Sequence, residues 1–186
     1  MFRVVFVRHG IKASANGQMD YDVPLADGEA AVARVLGREL AGYGAVPAVW
    51  LCSHFAHARQ TAEALAEGVV RVVPVCGLTP YSANEGAHLD PILYELGRLQ
   101  VKIDGADCIG LVGHEARLSN LANEFLPPEP RMGGLDSYLE AVCLEATSLL
   151  AFIRREAKVA FRLPRHALGT VVGRRNPADD SSDLKS

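Results

Sequence analysis

The chain opens on FRVVFV (2–7), an unbroken β-branched apolar run, which predicts a strand buried on both faces. Residues 8–27 then lose all period and are rich in Gly, Asn, Asp, Ser and Pro. They predict a long loop, and long loops in small domains are usually functional. Asp27 predicts a cap for a helix from about Gly28 to Tyr43, where Val32, Val35, Leu36 and Leu40 form one apolar stripe and Gly44 is a stop. AVWLC (48–52) predicts a second strand. Ser53 predicts the cap of a helix that runs to about Glu67 and ends at Gly68. VVRVVPV (69–75) predicts a third strand, placed at or near a sheet edge by Pro74.

Residues 77–87 predict another irregular loop, and Asp90-Pro91 the start of a helix to about Gln100. CIGLV (108–112) predicts the fourth strand. Gly113-His114-Glu115 reads as a tight turn into a helix ending at Phe125. After the break PPEPRMGG, the spacing of Leu135, Tyr138, Leu139, Val142 and Cys143 predicts a short amphipathic helix. TSLLAFI and KVAFRL predict a terminal hairpin, with a continuous helix as the rival.

This alternation predicts an α/β fold. It is a three-layer α/β/α sandwich with a mainly parallel sheet and a terminal hairpin or antiparallel edge strand. Residues 1–164 read as one domain and 165–186 as a polar, flexible tail.

Composition narrows the function classes. Apolar residues are 49% and charged residues 22% of 186, which excludes wholesale disorder. A net charge of -3 gives no electrostatic footprint for nucleic acid or an anionic membrane. No run reaches the ~18 apolar residues of a membrane span, and the short N-terminal run is not a signal peptide. Cys52, Cys76, Cys108 and Cys143 are widely spaced in apolar contexts. They read as buried free thiols in a reducing cytoplasm.

In such a sheet, ligands bind at the carboxyl ends of the strands. Five of the six His residues lie at or just after strand ends: His9, His54, His57, His88 and His114. Phosphoryl transfer through histidine suits this pattern. A neutral imidazole is a good nucleophile near pH 7, and catalysis then needs cationic stabilisation of the transferred group. Arg8 sets a planar fork beside His9, and Gly10 allows a sharp turn. His114 sits at the start of a helix, where anions are favoured.

VVFVRHG, PLADGEAAVARVLGREL, the segment Ser53 to Ala62 with its Ala-x-Gln-Thr-Ala, and LVGHE together resemble the histidine phosphatase superfamily, also called phosphoglycerate mutase-like. The short length and the Leu78-Thr79-Pro80 loop are similar to its small phosphohistidine phosphatase branch, the SixA-like proteins. The resemblance covers about residues 2–164. It implies the phosphoglycerate mutase-like fold, His9 as the phosphorylated nucleophile, Arg8 and His114 on the phosphoryl group, and no cofactor.

The family's second phosphate-binding Arg lies four residues after the strand-end Ser, and His57 stands there. Arg59 is two residues further, ~200° around a helix, so His57 is expected to line the pocket and Arg59 to bind the phosphate only if the helix start is irregular. This exchange implies weaker, pH-dependent phosphate binding and reduced activity. The expected proton donor is Glu85, Glu115 or none, with Glu85 preferred.

Two functional readings follow. One is a phosphatase acting on a phosphorylated small molecule or a phosphohistidine-bearing protein. The other is a weakened homologue that binds a phosphorylated ligand without turnover. A metal site of His9, His54, His57 and His114 is a third, disfavoured reading, since no Asp, Glu or Cys stands at ligand spacing with them.

Overall fold

A computed structural model of the chain describes residues 1–79, 107–129 and 131–172. The helix expected over 90–100 lies outside these residues. Strands β1 (Phe2–Arg8), β2 (Val49–Cys52), β3 (Arg71–Pro74), β4 (Cys108–Gly113), β5 (Ala141–Ala146) and β6 (Lys158–Leu163) form one sheet in the order β3-β2-β4-β1-β5-β6. β3, β2, β4 and β1 run parallel, while β5 and β6 complete the sheet as antiparallel strands.

The alternation within β1 builds two cores. Val4 and Phe6 face one side with Leu51, Leu111 and Val142, covered by α3 (Glu115–Phe125) and the short α4 (Leu149–Ile153). Val5 and Val7 face the other with Trp50, Val112 and Cys143, covered by α1 (Glu29–Gly42), α2 (Ala56–Ala66) and α5 (Arg165–Val172). Each fully buried side chain such as Phe6 or Leu36 contributes about 1.5–3 kcal/mol relative to exposure. Trp50 of β2 lies flat over Gly110 of β4, where a Cβ would stand 2.1 Å from its ring.

Several elements differ from expectation. Residues 135–143 do not form a helix. Leu139 adopts a left-handed φ of 55°, and the chain continues as β5. AVCLEA is apolar on both faces except at Glu145, so its spacing fits either period, and the open edge of β1 decides for a strand. TSLLAFI is not a hairpin strand. Ser148 accepts from the Ala151 N–H at 3.2 Å and caps α4, which seats Phe152 against Phe2 and Phe125. KVAFRL pairs with β5 instead.

The stretch expected to be a tail from residue 165 opens with α5. Its Leu168 is buried, and Arg165 donates a fork to Glu29 at 2.5 and 2.8 Å. Cys52, Cys108 and Cys143 are buried, but Cys76 is exposed. Among the described residues, no helix is long and apolar enough to cross a membrane.

Candidate active site

The parallel register of β1 and β4 pairs Arg8 with Gly113, so the next residues, His9 and His114, emerge side by side. The His9 N–H donates to the Gly113 carbonyl at 3.0 Å. The end of β2 joins them through the Ser53 N–H, which donates to the Val112 carbonyl at 2.9 Å. From there Phe55 leads into α2, whose first turn turns His57 inward; His57 is 1% exposed.

Three imidazoles meet. Ring centroids lie 4.4 Å apart for His9 and His57, 4.7 Å for His9 and His114, and 5.4 Å for His57 and His114. Phe55 packs edge-on against His57 and His114. Ser53 does not cap α2 as expected, because the helix begins three residues later. Its hydroxyl bonds instead to His114 Nε2 at 3.2 Å.

The hydrogen bonds fix two tautomers, since a carbonyl can only accept. His9 Nδ1–H donates to the Gly10 carbonyl at 2.7 Å, and His57 Nδ1–H donates to the Val23 carbonyl at 2.9 Å. Each ring therefore keeps Nε2 as a free lone pair. Burial pushes His9 down to about 4, an effect to which the neighbouring His57 and Arg8 add. Burial, together with His9 and His57, pushes His114 down to about 3. Burial also lowers His57. The cluster is thus three neutral imidazoles near pH 7.

Arg8 lies beside them. Its Cζ sits 4.2 Å over the Tyr138 ring, whose centroid is 5.4 Å from that of His9. Its Nη1 donates to the carbonyls of Leu135 and Asp136 at 3.2 and 2.6 Å. Its Nε is buried with no partner among the described residues. A desolvated, unpaired guanidinium N–H beside a nucleophile is a donor available to an anion.

The surroundings hold this geometry. The Gly10 N–H donates to Thr61 Oγ1 at 3.1 Å, and Thr61 donates to the His57 carbonyl at 2.7 Å. The Gly10 N–H is therefore committed to the protein. A Cβ at Gly10 would meet Leu25 at 2.9 Å and Glu29 at 3.0 Å, so the turn after His9 admits only glycine without rearrangement. Glu29 accepts from the Ile11 N–H at 2.8 Å, pinning the start of the loop. Lys12 pairs with Asp20 in the same loop; the Lys12 charge reaches His9, His57 and His114, and that of Asp20 reaches His57 and His114.

The remaining expected residues fall elsewhere. Arg59 is half-exposed, lies 3.7 Å from Glu63 and is not in the cluster; two helical residues past His57, it faces away. Glu115 accepts from the Ser119 hydroxyl of its own helix at 2.9 Å. His54 contacts Cys76 Sγ at 3.5 Å, and His166 is exposed on α5. Glu85 and His88 lie outside the described residues.

Ser53, Thr61, Phe55, Tyr138, Lys12 and Asp20 were not singled out for the site. Two carry a sequence signal, Ser53 through its place at a strand end and Thr61 through its place in the Ala-x-Gln-Thr-Ala segment. Tyr138 had none, because it arrives through the turn that leads into β5.

Residues 4–79 match the family model of the histidine phosphatase superfamily (branch 1). The protein histidine phosphatase SixA, solved with tungstate, is 18% identical with a TM-score of 0.69, covering 90% of this chain and 99% of its own. A protein from Nakamurella multipartitia assigned as a SixA phosphohistidine phosphatase is 24% identical, with a TM-score of 0.64 over 87% of this chain and 95% of its own. A mycobacterial glucosyl-3-phosphoglycerate phosphatase solved with VO3 is 16% identical, with a TM-score of 0.62 over 87% and 98%. No curated protein sequence matches the chain. The resemblance to the superfamily is thus carried by the family model in the N-terminal part. The phosphoglycerate mutase-like fold is shared along nearly the whole chain.

Proposed function

We propose that this chain is a phosphatase that works through a covalent phospho-His9 intermediate. Its substrate is a phosphomonoester or a phosphohistidine. The observation that carries the reading is the His9 tautomer: Nδ1–H is held by the Gly10 carbonyl, so the Nε2 lone pair is free within the cluster. Burial keeps that lone pair unprotonated. The family match over residues 4–79 and the fold shared with two kinds of phosphatase support it.

In this reading Nε2 attacks phosphorus, the N–P bond forms, and the P–O or P–N bond to the leaving group breaks with its electron pair. The leaving group takes a proton from a carboxylic acid, for which Glu85 is our candidate. Water then cleaves the N–P bond and releases phosphate. Arg8 offers its unpaired Nε–H to the transferred oxygens, and His57 and His114 complete the cradle.

The test is hydrolysis of an aryl phosphate together with trapping of acid-labile phosphate on the chain. Both should vanish in His9→Ala. Turnover that survives His9→Ala rules the mechanism out.

A second reading has its own observation. His57 supplies no permanent charge, and Arg8 Nη1 is committed to two carbonyls. A chain that binds a phosphorylated ligand without turnover would show saturable anion binding with no phospho-His9.

A further inference from the structure

We propose that His9, His57 and His114 form a binding site for one divalent transition-metal ion of the zinc class. The donor atoms of the three rings all lie within 4.8 Å of one another. Zinc–imidazole bonds of about 2.0–2.1 Å need nitrogens about 3.4 Å apart, so the rings must close by roughly an ångström. Binding therefore requires the side chains to shift, and His114 is the least buried of the three.

The surrounding hydrogen bonds are those of ligating imidazoles. A metal-bound His keeps its other ring nitrogen on a backbone carbonyl, carboxylate or similar oxygen, which fixes the tautomer and strengthens the ligand. His9 and His57 already do this through the Gly10 and Val23 carbonyls. His114 joins them when its Nε2–H donates to the Ser53 hydroxyl, the tautomer in which Nδ1 is the free lone pair. All three donors come from the ends of adjacent elements that are fixed by the sheet, and two of the rings are over nine-tenths buried.

The chemistry of position 57 decides the matter. An imidazole brings a lone pair where a guanidinium would bring only N–H donors. The Arg8 and Lys12 charges reach His9 and oppose a cation there, but each is partly engaged by other groups. Arg8 turns Nη1 to the carbonyls of Leu135 and Asp136, and Lys12 is paired with Asp20. Three neutral ligands and an open fourth position leave room for water or an anion. The metal would use the same Nε2 of His9 that attacks phosphorus. Metal binding and phosphoryl transfer therefore exclude one another, which makes the ion a reversible inhibitor. Binding of the ion itself does not depend on the phosphatase reading.

The test uses the full chain, stripped with chelator, and cobalt(II) as the probe, with zinc as competitor. One equivalent should bind in the micromolar range or tighter, with the intense visible absorption of tetrahedral cobalt, and zinc should bleach it. His57→Arg and His114→Gln should each weaken binding by roughly a hundredfold. His54→Ala, which removes the imidazole beside the exposed Cys76, should leave it unchanged. Failure to saturate by about 1 mM cobalt, full affinity in both His57→Arg and His114→Gln, or loss of binding in His54→Ala would each overturn the site. Circular dichroism of the two cluster variants separates lost ligation from lost folding. Cobalt binding without aryl phosphate hydrolysis by the metal-free chain would sink the phosphatase reading alone. Hydrolysis without cobalt binding would sink the metal site alone.

Discussion

The ring of His57 lies 4.4 Å from that of His9 and is held there by the Val23 carbonyl, 2.9 Å from its Nδ1. A titrating imidazole thus occupies the place where a permanent cation would serve an anion best. His57→Arg should tighten tungstate binding at pH 8 by about tenfold, the equivalent of about 1.4 kcal/mol. Calorimetric titration of both forms checks this. Unchanged or weaker binding would mean that residue 57 does not face the anion.

Anion binding should also depend on pH. Burial is the main reason that His114 is pushed down to about 3 and that His57 is lowered. A dianion placed among these rings favours their protonated forms and raises both. Between the free and bound values, binding takes up protons, so affinity rises as pH falls. Sulfate, which stays dianionic over this range, should bind more tightly at pH 5.5 than at pH 8. Titrations in two buffers of different ionisation enthalpy should report uptake of about one proton. Identical heats in the two buffers would contradict the prediction.

Arg165 should stabilise the fold through Glu29. Burial alone would raise the Glu29 carboxyl, but the Arg165 fork and the Ile11 N–H hold it below its ordinary value. A depressed carboxyl contributes stability that is present above the unfolded value, about 4.3, and is lost as pH falls through the lower folded value. Arg165→Ala strands a buried carboxylate and should cost about 3 kcal/mol at pH 7. Urea melts should show that difference shrinking below pH 4. An equal cost at pH 7 and pH 3 would show that the ion pair is not its source.

Gly110→Ala should destabilise without touching the site. A Cβ there would stand 2.1 Å from the Trp50 ring, and both neighbours are strand-bound. The expected cost is about 3 kcal/mol, the upper range for overpacking. The Trp50 fluorescence melt reads it directly, and a change within about 0.5 kcal/mol would show that the ring has room to shift.

The first four strands were legible because each is a continuous apolar run bounded by polar turns, as FRVVFV and CIGLV show. Residues 135–143 read as a helix because Leu135, Tyr138, Leu139, Val142 and Cys143 mimic a helical stripe. No local pattern announces the φ of 55° at Leu139 or the open β1 edge that claims the segment. The helix at 165–172 has no local signature because its anchors, Glu29 and the α1 core, lie far away in sequence.

The sequence by itself determined the chemistry available: an Arg-His-Gly after one buried strand, a Gly-His-Glu after another, and a His where the resembled family's pattern has its second Arg. Strand ends, apolar runs and turn residues are local, and local patterns survive in one dimension. Only the tertiary structure decided that Ser53 serves His114 rather than a helix, that Arg59 faces away, and that Tyr138 carries Arg8. It also decided that three imidazoles close within 4.8 Å. Those relations join residues that are neighbours in space but distant along the chain, and the sheet register and the start of α2 together set the distances between them.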